Sequence, residues 1–181
     1  MIVLETERLR LRTWKQADRE PFARLNADPR VREFFPGVLS KSESDAEADR
    51  VEEHFSRHEF TFFAAELRES GEFIGCAGLA APSFEAHFTP CVEIGWRLAQ
   101  NYWGRGLATE AARAVLRHGF EVLRLNEIVA FTVPANVPSR RIMEKIEMTR
   151  DPAEDFDHPA LPEGHPLRRH VLYRIKSSLL P

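Results

Sequence analysis

A chain of 181 residues with 43% hydrophobic and 29% charged side chains can bury a substantial core, and the composition suits one domain over residues 1–181 of α/β or α+β type. A net charge of −3, from 25 basic and 28 acidic residues, supplies no clustered basic face, which argues against a nucleic-acid partner. The chain is charged from Glu5 onward and has no later apolar run of membrane-spanning length, so no membrane partner and a cytoplasmic location are expected, with Cys76 and Cys91 kept as reduced thiols.

In chain order, residues 8–14 (RLRLRTW) alternate basic and apolar side chains and predict an edge strand with its charges in water. Residues 18–27 and 43–57 have helical character. The second of these opens on SESD, where Ser42 precedes acidic residues suited to a helix N-terminus. FTFFAAEL, EFIGCAGLA and CVEIGWRLA are rich in aromatic and β-branched residues and have turn signals around them, which predicts an antiparallel meander. A helix over 106–123, the strand EIVAFTV, a helix over 137–147 and a closing strand over 168–175 complete the order.

NYWGRGLATEAARAVLRHGF, residues 101–120, sets Gly104 and Gly106 at the start of a helix. Glycine there implies a backbone conformation other residues avoid or a backbone that something approaches closely. The first N–H groups of the helix lack partners and its dipole is positive at that end, so an anion fits. Along VEIGWRLA, Val92, Ile94, Trp96 and Leu98 alternate with Glu93, Gly95, Arg97 and Ala99 and so define two faces. Glu93, off the large apolar face, is placed to accept a proton, and a solvated strand glutamate is the plain alternative. Asn136 and Ser139 share the first turn of the next helix, where asparagine is a good N-cap.

Those two stretches, 92–120 and 126–148, together with ETERLRLRTW and DPRVREFFPG, resemble the GNAT superfamily of acetyl-CoA-dependent N-acetyltransferases, and within it the Rim-type branch that acts on ribosomal-protein N-termini. The resemblance covers essentially the whole chain. It implies a mixed, mostly antiparallel α/β sheet of six to seven strands with four helices, splayed between the fourth and fifth strands. It also implies that Trp103, Gly104, Arg105, Gly106, Leu107 and Ala108 cradle the coenzyme A pyrophosphate, and that the backbone near Leu98 and Ala99 holds the pantetheine arm. Asn136 is implied to bond that arm and Ser139 to lie near the coenzyme A sulfur; Glu93 and Ser139 are the catalytic candidates, with the departing thiolate stabilised by Ser139 or a bound water, or needing little help. Two departures stand out. Met143 occupies the cofactor-side position where many members carry a tyrosine acid, and Glu147 stands where a glycine usually caps the helix.

DFDHPALPEGHPLRRH gathers histidines, but prolines directly after His158 and His165 deny them a regular ligand spacing, so no metal is expected. The resemblance makes this segment a rigid loop between the sixth and last strands, forming one wall of the acceptor groove. His54, His58 and His118 are expected at the surface or its boundary. Direct acetyl transfer from acetyl-CoA to a primary amine, without an acyl-enzyme, is expected. An α-amine with a pKa near 8 is partly neutral at neutral pH, whereas lysine near 10.4 is not, which favours an α-amine, as at a protein or peptide N-terminus, or a weakly basic small-molecule amine. A small-molecule amine and a non-catalytic coenzyme A-binding module remain as alternatives, and similar proteins are often homodimers.

Overall fold

The computed structural model describes residues 1–177. Along the chain it runs β1 (Ile2–Glu5), β2 (Leu9–Arg12), α1 (Arg19–Ala27), α2 (Lys41–His58), β3 (Phe62–Leu67), β4 (Phe73–Ala80), β5 (Glu93–Leu98) and α3 (Leu107–Glu121). It continues with β6 (Glu127–Thr132), α4 (Val137–Lys145), β7 (Thr149–Arg150), β8 (Phe156–Asp157) and β9 (Arg169–Lys176). The sheet order is β1-β2-β3-β4-β5-β6-β9-β7, with β8 also paired to β9. Every pairing is antiparallel except β5 with β6, which α3 connects as a parallel crossover.

The mixed, mostly antiparallel architecture with four helices agrees with the sequence reading. Among the described residues there are nine strands rather than the expected six to seven, because β1, β7 and β8, of 4, 2 and 2 residues, show no clear alternation of their own. With β1 ahead of it, the splay lies between the fifth and sixth strands in chain order. For the same reason β2 is not an edge: β1 covers it, pairing Ile2 with Arg12, and β3 flanks its other side. Nor does Arg12 face water. Its guanidinium is buried between Asp18 at 2.6 Å and Glu66 at 2.6 Å, where paired charge makes burial tolerable. The α2 cap is Ser40 rather than Ser42: its hydroxyl accepts the Glu43 N–H, and the Glu43 carboxylate accepts the Ser40 N–H.

Alternation along the strands assigns the two sheet faces. Ile94 and Leu98 of β5 and Ile128 and Ala130 of β6 pack under Leu107, Ala111, Val115 and Phe120 of α3. The opposite face splits into two smaller clusters. One joins Phe22, Leu25, Val31 and Ala48 of the α1–α2 region to Cys76, and the other joins Phe88, Val129, Phe156 and Leu172. Glu93, Gly95 and Arg97 look out between those two clusters.

Candidate active site

β5 and β6 share a single rung. Glu93 pairs with Val129, whose N–H donates to the Val92 carbonyl at 2.9 Å, and beyond that point the two strands part. On its other edge β5 stays bonded to β4 as far as Ala99, whose N–H donates to the Ile74 carbonyl at 2.9 Å. Hydrogen-bonding direction alternates along a strand, so the main-chain groups of Trp96 and Leu98 point into the opening crevice. The Leu98 carbonyl is taken by the indole N–H of Trp103 at 2.7 Å, which leaves the Leu98 N–H facing the gap. The expectation for Ala99 is corrected: its carbonyl also accepts the Tyr102 N–H, so both of its main-chain groups are occupied outside the crevice.

Two helices start at the C-terminal ends of these diverging parallel strands, the place where α/β sheets bind ligands. After β5, Gly104 at φ 71° and Gly106 at φ 78° turn the backbone through left-handed conformations, and α3 begins at Leu107. The first α3 bond runs from the Glu110 N–H to Gly106, so the N–H groups of Leu107, Ala108 and Thr109 have no partner within the helix. Nothing lies within 4 Å of where a Gly104 side chain would begin, and Arg105 is exposed beside this concave run of donors. The side chains of Leu98 and Leu107 are core residues, so both act here only through main chain. These groups form a cradle suited to a pyrophosphate, as coenzyme A requires.

Sequence reasoning missed what holds this loop. Arg8 donates from Nη1 to the Arg105 carbonyl at 2.9 Å and grips Glu110 through Nε at 2.7 Å. Glu110 in turn accepts from the Arg8 N–H and the Thr6 hydroxyl. Some hundred residues separate the partners, so no local pattern signals the contact.

Glu93 is half-buried on the face away from α3, and burial pushes its carboxyl up to about 7. At the other lip, Asn136 caps α4: its Oδ1 accepts the Ser139 N–H at 3.3 Å while its Nδ2 donates to the Thr132 hydroxyl at 2.9 Å. Ser139 is half-buried in that first turn. The expectation that Met143 lines the cofactor is corrected, because it is 3% exposed and packed in the main core, as an apolar side chain on the inner side of α4 must be.

The loop after β8 carries His158 and His165, and each uses Nδ1 to accept a main-chain N–H two residues on, from Ala160 and Leu167. His158 and His170 lie with ring centres 5.1 Å apart and planes tilted by 48°, within an aromatic wall of Phe84, Phe131 and Phe156. Among the described residues no group of three or more His, Cys, Asp or Glu is arranged around a metal-sized point, and no helix is long and apolar enough to cross a membrane. Burial pushes both thiols, Cys76 and Cys91, up to about 11, so neither supplies a thiolate near neutral pH.

The acetyltransferase (GNAT) domain profile matches residues 8–149. The chain belongs to the GNAT family. It is an acetyl-CoA-dependent acetyltransferase of that family by the same match, and its relatives agree. It is 31% identical over 163 residues to YnaD, an uncharacterized N-acetyltransferase of Bacillus subtilis, covering 90% of this chain and 89% of that one. A GNAT-family acetyltransferase from Bacillus anthracis superposes with a TM-score of 0.79 at 27% identity, covering 98% of this chain and 99% of that one. The structure of Mycobacterium smegmatis RimJ in complex with CoA-disulfide shares the fold, at a TM-score of 0.74 and 22% identity over 96% of this chain and 84% of that one. As a GNAT protein, the chain uses acetyl-CoA as acyl donor.

Proposed function

We propose that the protein transfers acetyl directly from acetyl-CoA to the α-amine of a protein or peptide N-terminus. The observation that carries this reading is Glu93: a carboxyl held near 7, on the last shared rung before β5 and β6 part, beside main-chain donors that face the gap. The N–H groups of Gly106, Leu107 and Ala108 hold the pyrophosphate, with Arg105 adding charge and Gly104 and Trp103 shaping the turn. The Leu98 N–H and the Asn136 side chain orient the pantetheine arm. The bound cosubstrate supplies an activated thioester. Glu93 removes a proton from the incoming ammonium or amine, and a group with a pKa close to the working pH does so with the least mismatch. Ser139, at the N-terminus of α4, donates to the departing sulfur. A thiolate is a weak base beside an alkoxide, so a hydroxyl in the positive field of a helix end suffices in place of a tyrosine. The raised thiols of Cys76 and Cys91 favour direct transfer over an acyl-cysteine.

An α-amine matches this site better than a lysine side chain, since one carboxylate near 7 cannot readily deprotonate a group near 10.4. The test is a mass-spectrometric screen of peptides, free lysine derivatives and small amines with acetyl-CoA, run with the wild type and Glu93→Gln. Acetylation at peptide N-termini, reduced at least a hundredfold by Glu93→Gln, is expected. Acetylation confined to small amines would overturn the acceptor assignment.

A further inference from the structure

On the Glu93 face of the sheet, at the far end of β5, two guanidiniums share too little negative charge. Arg97 donates from Nη1 to Asn26 Oδ1 at 2.7 Å and pairs through Nη2 with Glu47 at 3.0 Å, but its buried Nε has no partner. Arg32, 8% exposed in the loop between α1 and α2, donates from Nε to the Gly37 carbonyl at 2.8 Å, and among the described residues it has no carboxylate within ion-pair distance. Both guanidiniums lie over the Phe35 ring, at 4.4 and 4.6 Å from its centre. The two cations act on each other, and among the described residues Glu47 is the one acid within ion-pair distance of either, while Glu43 acts on Arg32 from farther off. A desolvated cation without a counter-charge is costly, and the cost falls when an anion binds. The planar donor fork of arginine suits a carboxylate in particular.

We infer that Arg32 and Arg97, braced on Phe35, form a carboxylate subsite of the acceptor groove that selects peptides with an acidic residue near the N-terminus. This rests on the acetyltransferase assignment and names its substrate class. Glu93 and Arg97 are on the same side of β5, four positions or about 13 Å apart along the strand. An extended peptide whose amine reaches Glu93 advances about 3.3 Å per residue, so the acid falls within roughly the first five residues. The Phe62 ring covers Gly95, which a side chain could not replace without meeting it at 2.9 Å, and so forms an apolar floor between the two ends.

The test compares acetylation of octapeptides that differ only by Asp or Asn at positions 2 to 5, with wild type, Arg32→Gln and Arg32→Lys. For the best position, kcat/KM for the Asp peptide should exceed that for its Asn partner at least tenfold in the wild type, and the ratio should shrink as salt is raised. Arg32→Gln should bring the ratio near one while calorimetry shows acetyl-CoA affinity retained, and Arg32→Lys should restore part of it. A wild-type ratio near one, which needs no variant to measure, overturns the inference, as does an undiminished ratio in Arg32→Gln. Turnover without an acid preference removes this subsite alone. Absence of turnover with every amine removes the acetyltransferase reading together with it.

Discussion

Two titrating side chains carry opposite pH signatures. Glu93 has its folded pKa raised to about 7 by burial. Between its unfolded value near 4.5 and about 7, the unfolded chain loses this proton and the folded chain keeps it, so rising pH costs stability across that window. Glu93→Gln has no such loss, and thermal melts should show the variant gaining on the wild type as pH goes from 5 to 8. In the rate, the proposed role of Glu93 as base requires its ionised form, so wild-type kcat/KM is expected to climb through about 7. Only the limb of the acceptor amine should remain in the variant. His54 behaves the other way. Its Nε2 accepts the Ala81 N–H at 3.0 Å, which makes Nδ1 the donor to the Phe60 carbonyl at 2.8 Å, and burial together with His58 lowers its pKa. A second proton would face the Ala81 N–H. This contribution is fully present above the unfolded pKa of about 6.5 and is lost as pH falls through the lower folded value. His54→Ala should melt below the wild type at pH 7.5, and the difference should narrow at pH 5; an unchanged difference would show that His54 does not titrate with unfolding.

At the scale of elements, the end of α4 explains the unexpected Glu147. The Met148 N–H donates to the Met143 carbonyl and the Glu147 N–H to the Glu144 carbonyl, both at 3.0 Å, and Met143 and Met148 meet in the core. This is the Schellman arrangement, which puts the intervening residue in the left-handed region, and Glu147 has φ 66°. A side chain there costs about 1–2 kcal/mol, while glycine costs about 0.5–1 kcal/mol in unfolded-chain entropy. Glu147→Gly is therefore expected to raise the melting temperature by about 1–4 °C. A lower melting temperature would mean that the Glu147 side chain contributes more than its backbone strain costs. The loop before α3 uses the same device twice, at Gly104 and Gly106, but there glycine also leaves room for a ligand.

Over the whole molecule, the glycine-flanked loop before α3 is secured by the N-terminal hairpin. Arg8 and Thr6 reach Glu110 on α3, and Arg8 also holds the Arg105 carbonyl. Glu110→Ala should cost about 1–3 kcal/mol in denaturant unfolding, as the loss of charge-assisted bonds implies. It should also weaken acetyl-CoA binding measured by calorimetry, because the loop loses its outer support. Unchanged affinity in a folded variant would mean that the glycine turn holds its own shape. The buried Arg12, joined to Asp18 and Glu66, ties β2, β3 and the approach to α1 in a comparable way.

Local signals were sufficient for the meander β3–β5, the glycine-flanked start of α3 and the Asn136 cap, since period-two alternation, glycine placement and capping chemistry act within a few residues. The same alternation put Glu93 on the face opposite the apolar core. It did not reveal that the carboxyl would be buried enough to hold its proton near neutral pH, because burial depends on what Val129 and the aromatic wall bring to that face. β1 and β7, of 4 and 2 residues, were not legible, and without β1 the basic alternation of residues 8–14 resembled a solvated edge. Arg12 and the Arg8–Glu110 brace depend on partners from 6 to 102 residues away, and Ala99 lost its expected role to a carbonyl of β4. Side-chain chemistry and short periods belong to the sequence by itself. Which charge is buried, and beside which partner, is decided only when distant segments pack together.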